Sequence, residues 1–91
     1  MNDTLQERID FVRQRWHSLC PDYCPLETEV QDWLAKYRMN FVLHGIKVAL
    51  LESTKAVHRN EAPYSEDEAL HRAEEIMRSE QEGFELRRSQ N

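Results

Sequence analysis

The apolar residues Leu5, Ile9, Val12, Trp16 and Leu19 recur at 4-3-4-3 spacing. At 3.6 residues per turn this keeps all five on one stripe, whereas a strand would scatter them over both faces. The chain therefore opens on an amphipathic helix, with Gln6, Arg8, Asp10, Arg13 and Arg15 on its solvent side. Thr4-Leu5-Gln6-Glu7 reads as a capping box, in which hydroxyl and carboxylate each satisfy an exposed backbone N–H. Pro21 disfavours helical backbone at Cys20 and has no N–H of its own, so this helix spans 4–19.

The same period continues along the chain. Pro25, with its fixed φ, suits a first helical position, and Glu27 and Glu29 follow at the positive end of the dipole. Leu26, Val30, Trp33, Leu34 and Tyr37 share a face, giving a second helix over 25–38 that ends in the cations Lys36 and Arg38. Asn40 reads as the cap of a third helix over 41–58, whose buried stripe is Val42, Ile46, Ala49, Leu50, Ser53 and Val57, broadened by Phe41 and Leu51. Gly45 within it costs about 1 kcal/mol relative to alanine, which close approach by another helix would explain.

Ser65-Glu66-Asp67-Glu68 is a second capping box, opening a fourth helix over 66–82. Its inner face is Ala69, Ala73, Ile76 and Met77, with Leu70 alongside, and the small residues allow close packing. Gly83 reads as a C-terminal stop. Residues 83–91 then form a frayed, flexible tail, from which Phe84 and Leu86 can fold back or touch a partner. The expected architecture is one all-α domain over 1–91, a small bundle of four helices with the third at its centre. The 2 glycines and 3 prolines in 91 residues agree with few turns and long elements. A 40% hydrophobic, 32% charged composition fits a folded chain rather than a disordered one.

The net charge of −5 arises in one place. Residues 1–59 carry eight Lys/Arg and eight Asp/Glu, whereas residues 60–91 carry four arginines and nine acids. An acidic third disfavours non-specific nucleic-acid or anionic-membrane binding and suits a basic partner surface. Apolar runs such as Val48-Ala49-Leu50-Leu51 are too short to span a bilayer. Met1–Thr4 leads directly into charged amphipathic sequence, so the expected location is cytoplasmic, where both cysteines would stay reduced.

Chemical motifs are sparse. His17, Cys20 and Cys24 supply at most half of a zinc site, and a second half would have to come from His44, His58 or His71 on other helices. A Cys20–Cys24 disulfide would close a very small loop. The sequence leaves metal ligation and free thiols both open, and favours a turn in which Pro21 stops one helix and Pro25 starts the next. No cofactor motif is present: there is no Gly-rich phosphate loop, G-x-S-x-G or H-E-x-x-H. The carboxylates lie on polar faces beside arginines, so a buried pair with separated pKa values is not indicated and catalysis is not expected.

Two functional readings remain, with a third beside them. The first is a non-catalytic protein–protein interaction module, an accessory or inhibitor of bacterial, phage or mobile-element type. It would dock Glu66, Asp67, Glu74, Glu75 and Glu82 on a larger basic partner, with Phe84 as an apolar anchor. The second is a DNA-binding or replication-associated module using Lys36, Arg38, Lys47, Lys55 and Arg59, with the third helix as reader of a helix-turn-helix; nucleic acid is the less favoured partner. The third is a homodimer or larger homo-oligomer that buries the first helix's stripe against a second copy. Val30-Gln31-Asp32-Trp33-Leu34, His44-Gly45-Ile46-Lys47-Val48-Ala49 and Ala73-Glu74-Glu75-Ile76-Met77 together resemble the C-terminal helical module of DnaD-type and phage replisome-organiser proteins. The resemblance spans about residues 28–80, mainly at core positions, and implies a replication accessory role. The final helix departs from it, lacking the family's tyrosine and trailing tryptophan and being acidic where the family's tail tends to be basic.

Overall fold

The computed structural model describes residues 4–90 and contains α1 (Leu5–Leu19), α2 (Glu27–Lys36), α3 (Met39–His58) and α4 (Glu66–Ser89). Among the described residues there is no strand, so the all-α bundle follows the apolar periodicity. α3 is central: it packs along α4 and also meets α1 and α2, while α1 lies against α2. The molecule is flattened, 44 × 33 × 19 Å.

Local chemistry sets the helix starts. The Ser65 hydroxyl accepts the Glu68 N–H at 3.2 Å and the Glu68 carboxylate accepts the Ser65 N–H at 3.0 Å, completing the box that opens α4. Those bonds hold the Glu68 carboxyl below its ordinary pKa. At α1 only the first half of the box forms. The Thr4 hydroxyl accepts the Glu7 N–H at 3.1 Å, but the Glu7 carboxylate meets that hydroxyl at 3.2 Å instead of the Thr4 N–H.

Apart from a one-residue shift at the α1 start, where Thr4 is the N-cap, four boundaries differ from the sequence expectation. α2 starts two residues after Pro25: Leu26 is its N-cap, with its N–H on the Glu29 carboxylate at 2.9 Å. Pro25 is instead buried, and its carbonyl accepts Arg13 Nε at 3.0 Å, which ties the turn back to α1. α2 ends at Lys36, because Tyr37 adopts extended backbone and turns the chain into α3. α3 starts at Met39 with Arg38 as N-cap, so Asn40 lies inside the first turn. No local side chain caps this start; the Arg38 N–H is accepted by the Gln81 side chain of α4 at 3.2 Å.

α4 does not stop at Gly83. No glycine has positive φ, and the helix runs on to Ser89. A helical glycine costs about 1 kcal/mol, and tertiary contact offsets it. The Phe84 ring packs on Phe41 of α3, centroids 5.7 Å apart, beneath the Arg38 guanidinium at 4.6 Å. Gln81 adds a bond to Glu85 at 3.0 Å, and Arg87 and Arg88 complement the dipole in the last turn.

The core joins Ile9, Val12 and Trp16 of α1, Val30 and Trp33 of α2, and Ala69, Ala73, Ile76 and Met77 of α4 around α3. Gly45 has the role its position suggested: an added Cβ would lie 2.6 Å from the Ala73 carbonyl oxygen and 2.7 Å from Met77 Cγ. The expected stripes are buried at their centres and open at their ends. Leu5, Leu19 and Val57 are each close to half exposed, because neighbouring helices cover the middle turns and not the last ones; Leu51, in the middle of α3, is 48% exposed beside buried Leu50, so it does not broaden the buried stripe. On α3, Ala56 is buried where Val57 was expected, and its carbonyl accepts the Glu61 N–H at 2.8 Å as the chain folds back. The centre of the α1 stripe, Ile9, Val12 and Trp16, is buried within the bundle, while Leu5 and Leu19 at its ends stay exposed.

Candidate interaction surfaces

The five acidic residues expected to form one patch divide into two groups. Glu74 faces α2 and holds it in place: its carboxylate accepts from Trp33 Nε1 at 3.3 Å, Tyr37 Oη at 3.0 Å and Lys36 Nζ at 3.4 Å, with Arg78 at 3.7 Å. Burial, then the bond to Glu74, pushes the Tyr37 phenol pKa upward, and the bond to Asp32 heads the causes that raise Lys36. Glu75 is 3.8 Å from Arg72. Glu66, Asp67 and Glu82 are exposed and make no ion pair among the described residues. Phe84 is half-buried against Phe41 and between Arg38 and Arg88, so it is a packing residue; Leu86, 60% exposed, is the free apolar side chain on this half of α4.

The cations of the second reading are mostly engaged with neighbours. Lys36 sits 2.9 Å from Asp32 as well as near Glu74, Arg38 stacks on Phe84, and Arg59 is 2.6 Å from Glu61. Lys47 and Lys55 are exposed on α3 and make no ion pair among the described residues. His44 on the same helix lies 3.7 Å from Glu80.

A polar network at the far end of the α3–α4 seam has no counterpart in the sequence reading. Arg72 clamps Glu52 through two bonds, at 2.8 and 3.0 Å, and Tyr64 adds a third at 3.2 Å. The Arg72 bonds hold the Glu52 carboxyl below its usual range. The partners lie 12 and 20 residues apart, so no local spacing could have announced them.

The turn from Cys20 to Pro25 proves to be more than a helix stop. Cys20 and Cys24 are free thiols, each half-buried, and Cys24 Sγ donates to the Arg13 carbonyl at 3.6 Å. Among the described residues no group of three or more His, Cys, Asp or Glu is arranged to hold a metal, and His17 is exposed. The turn also forms one wall of an open groove of about 280 Å³, where Leu19, Pro21 and Tyr23 face Leu50, Val57 and Tyr64. Tyr23 packs on buried Trp16 at 6.0 Å, and Trp16 in turn stacks on Trp33 at 6.4 Å. Burial, followed by Cys20 and the charges of Glu66 and Asp22, pushes the Tyr23 phenol up to about 12. Leu19 and Tyr23 beside Pro21, and Tyr64 beside Pro63, were the available sequence signal, but their convergence depends on how α1 meets α3.

No helix among the described residues is long and apolar enough to cross a membrane. Comparison with known proteins finds no matching family model, curated protein or solved structure.

Proposed function

We propose that this chain is a non-catalytic protein–protein interaction module that presents an acidic helical surface to a basic partner, as an accessory or inhibitor protein would. One observation carries the reading: the two charge sets differ in how much internal neighbours use them. Three of the five acids, Glu66, Asp67 and Glu82, lack ion-pair partners among the described residues, whereas three of the five cations, Lys36, Arg38 and Arg59, are held by acidic or aromatic neighbours and two, Lys47 and Lys55, are not. Exposed carboxylates steer encounter, and exposed Leu86 offers apolar area beside Glu82. The test is affinity capture from host extract, comparing the unaltered chain with Glu66→Lys/Asp67→Lys/Glu82→Lys. A basic protein retained by the first and lost by the second supports the reading; equal retention by both sinks it.

A replication-associated, DNA-binding role is the second reading, favoured by Lys47 and Lys55 on the exposed side of α3, which make no ion pair among the described residues. A gel shift at low salt and micromolar protein, abolished by Lys47→Glu/Lys55→Glu, would replace the first reading with this one.

A further inference from the structure

We propose that the outer side of α1 is a dimerisation surface, on which a second copy of this chain docks its own α1 antiparallel, with Phe11 at the two-fold axis.

This side of the helix is distinct from the stripe that packs into the core. Phe11 lies off that stripe and is 46% exposed, while Ile9 and Val12 of the same turn are buried. Beside it, a recess of about 320 Å³ between α1 and the start of α3 is lined by Glu7, Arg8, Phe11 and Met39. The Arg15 guanidinium lies over the Phe11 ring, 5.8 Å from its centroid. Glu7 and Arg15 are both exposed and make no ion pair among the described residues; the Glu7 carboxylate meets the Thr4 hydroxyl of its own cap.

The spacing of these charges identifies the occupant. Glu7 stands four residues before Phe11 and Arg15 four after it, so the three share one face of the helix. When two such faces meet antiparallel about a two-fold axis at Phe11, each residue lies opposite the one equally far beyond Phe11 in the other copy. Glu7 then faces Arg15 of the second copy, and symmetry makes the pair twice. Arg8 faces Gln14 and Thr4 faces Ser18, so no like charges meet and small polar residues close both ends. Parallel helices would instead set Glu7 against Glu7 and Arg15 against Arg15. Charge therefore selects both the partner and its direction. The second Phe11 ring supplies the apolar filling for the recess at Phe11 and Met39, and carries its Arg15 towards the Glu7 rim. With one helix from each copy, the contact belongs among small, weak interfaces. No residue of α4 takes part, so dimerisation and docking through the acidic face are separable.

Sedimentation velocity of the full chain, from micromolar to millimolar concentration, should show a reversible monomer–dimer equilibrium that added salt weakens. Glu7→Arg sets two arginines against each other, and Arg15→Glu two glutamates, so each should weaken the dimer about tenfold or more. The double variant Glu7→Arg/Arg15→Glu restores opposite charges and should restore the dimer. An equimolar mixture of the two single variants should restore it as well, as a heterodimer. Phe11→Ala should weaken it by about tenfold, as loss of a central aromatic contact does. Circular dichroism confirms that the variants are folded; all three side chains are exposed, so none supports the core. Amide shifts that grow with concentration should centre on Glu7–Arg15 and Met39. A chain that stays monomeric at millimolar concentration overturns the proposal, as does a dimer that neither single reversal weakens. Failure of the mixture to recover the dimer overturns it too, and so do concentration-dependent shifts confined to other elements.

Discussion

At Gly45 an added methyl group would lie 2.6 Å from the Ala73 carbonyl oxygen; at Gly83 the nearest atom would be the tip of Arg87, 3.5 Å away. Both glycines sit inside long helices and both are about 1 kcal/mol poorer than alanine for helix formation. At Gly45 the missing side chain allows α4 to approach α3 at backbone distance, with Ala69, Ala73 and Met77 fully buried along the seam. At Gly83 nothing in the fold uses the gap, and the last two turns of α4 are fastened by Phe84 on Phe41. A glycine in a helix thus has no single meaning: its cost is uniform, but its benefit depends on what lies opposite.

The sharpest test of that contrast is Gly45→Ala. The methyl must displace a backbone carbonyl, so the variant should lose about 2 kcal/mol, roughly 10 °C in Tm for a domain of this size. An unchanged melting temperature would mean that the seam is looser than described. Phe84→Ala comes next, at about 1 kcal/mol from the lost aromatic pair. Hydrogen exchange should show faster opening of the amides from Gly83 to Ser89 without change at Ala73; a uniform increase would contradict a separately fastened helix end. Gly83→Ala should act in the opposite direction and stabilise by up to about 1 kcal/mol, measured by urea unfolding.

The smallest effect is electrostatic. The Glu52 carboxyl is held below its ordinary pKa by Arg72, so its contribution is present above about pH 4.5 and is lost as pH falls through the lower, folded value. Arg72 is 42% exposed, so solvent screening limits the effect to under about 1 kcal/mol. Urea midpoints for Glu52→Gln should therefore fall below those of the unaltered chain at pH 7 and converge with them in acid. Persistence of the gap at pH 3 would point to packing instead of charge.

Much of the fold was legible in the residues. The 4-3-4-3 stripe, Pro21 and the Ser65 box placed four helices in order, and Gly45 announced a close crossing before its partner was known. The candidate sites were less legible. Glu74 and Glu66 both read as acids on a polar face, yet one is bound to Trp33, Tyr37 and Lys36 and the other makes no ion pair among the described residues. Phe84, read as an anchor on a loose tail, is packed against α3. Pro25, read as a helix start, is buried at the turn with its carbonyl on Arg13.

Helical periodicity and capping are properties of neighbours in the chain, with energies set within one or two turns, so the sequence by itself determined the number, order and inner faces of the helices. Where each helix ends, which carboxylates stay free, and that the WHSLCPDYCP turn walls a groove were decided by tertiary contact. Those outcomes depend on partners such as Gln81 on Arg38, Arg72 on Glu52 and Phe41 on Phe84, each 20 or more residues away. At such separations the chain is positioned only by burial of the core, and local spacing carries no record of it.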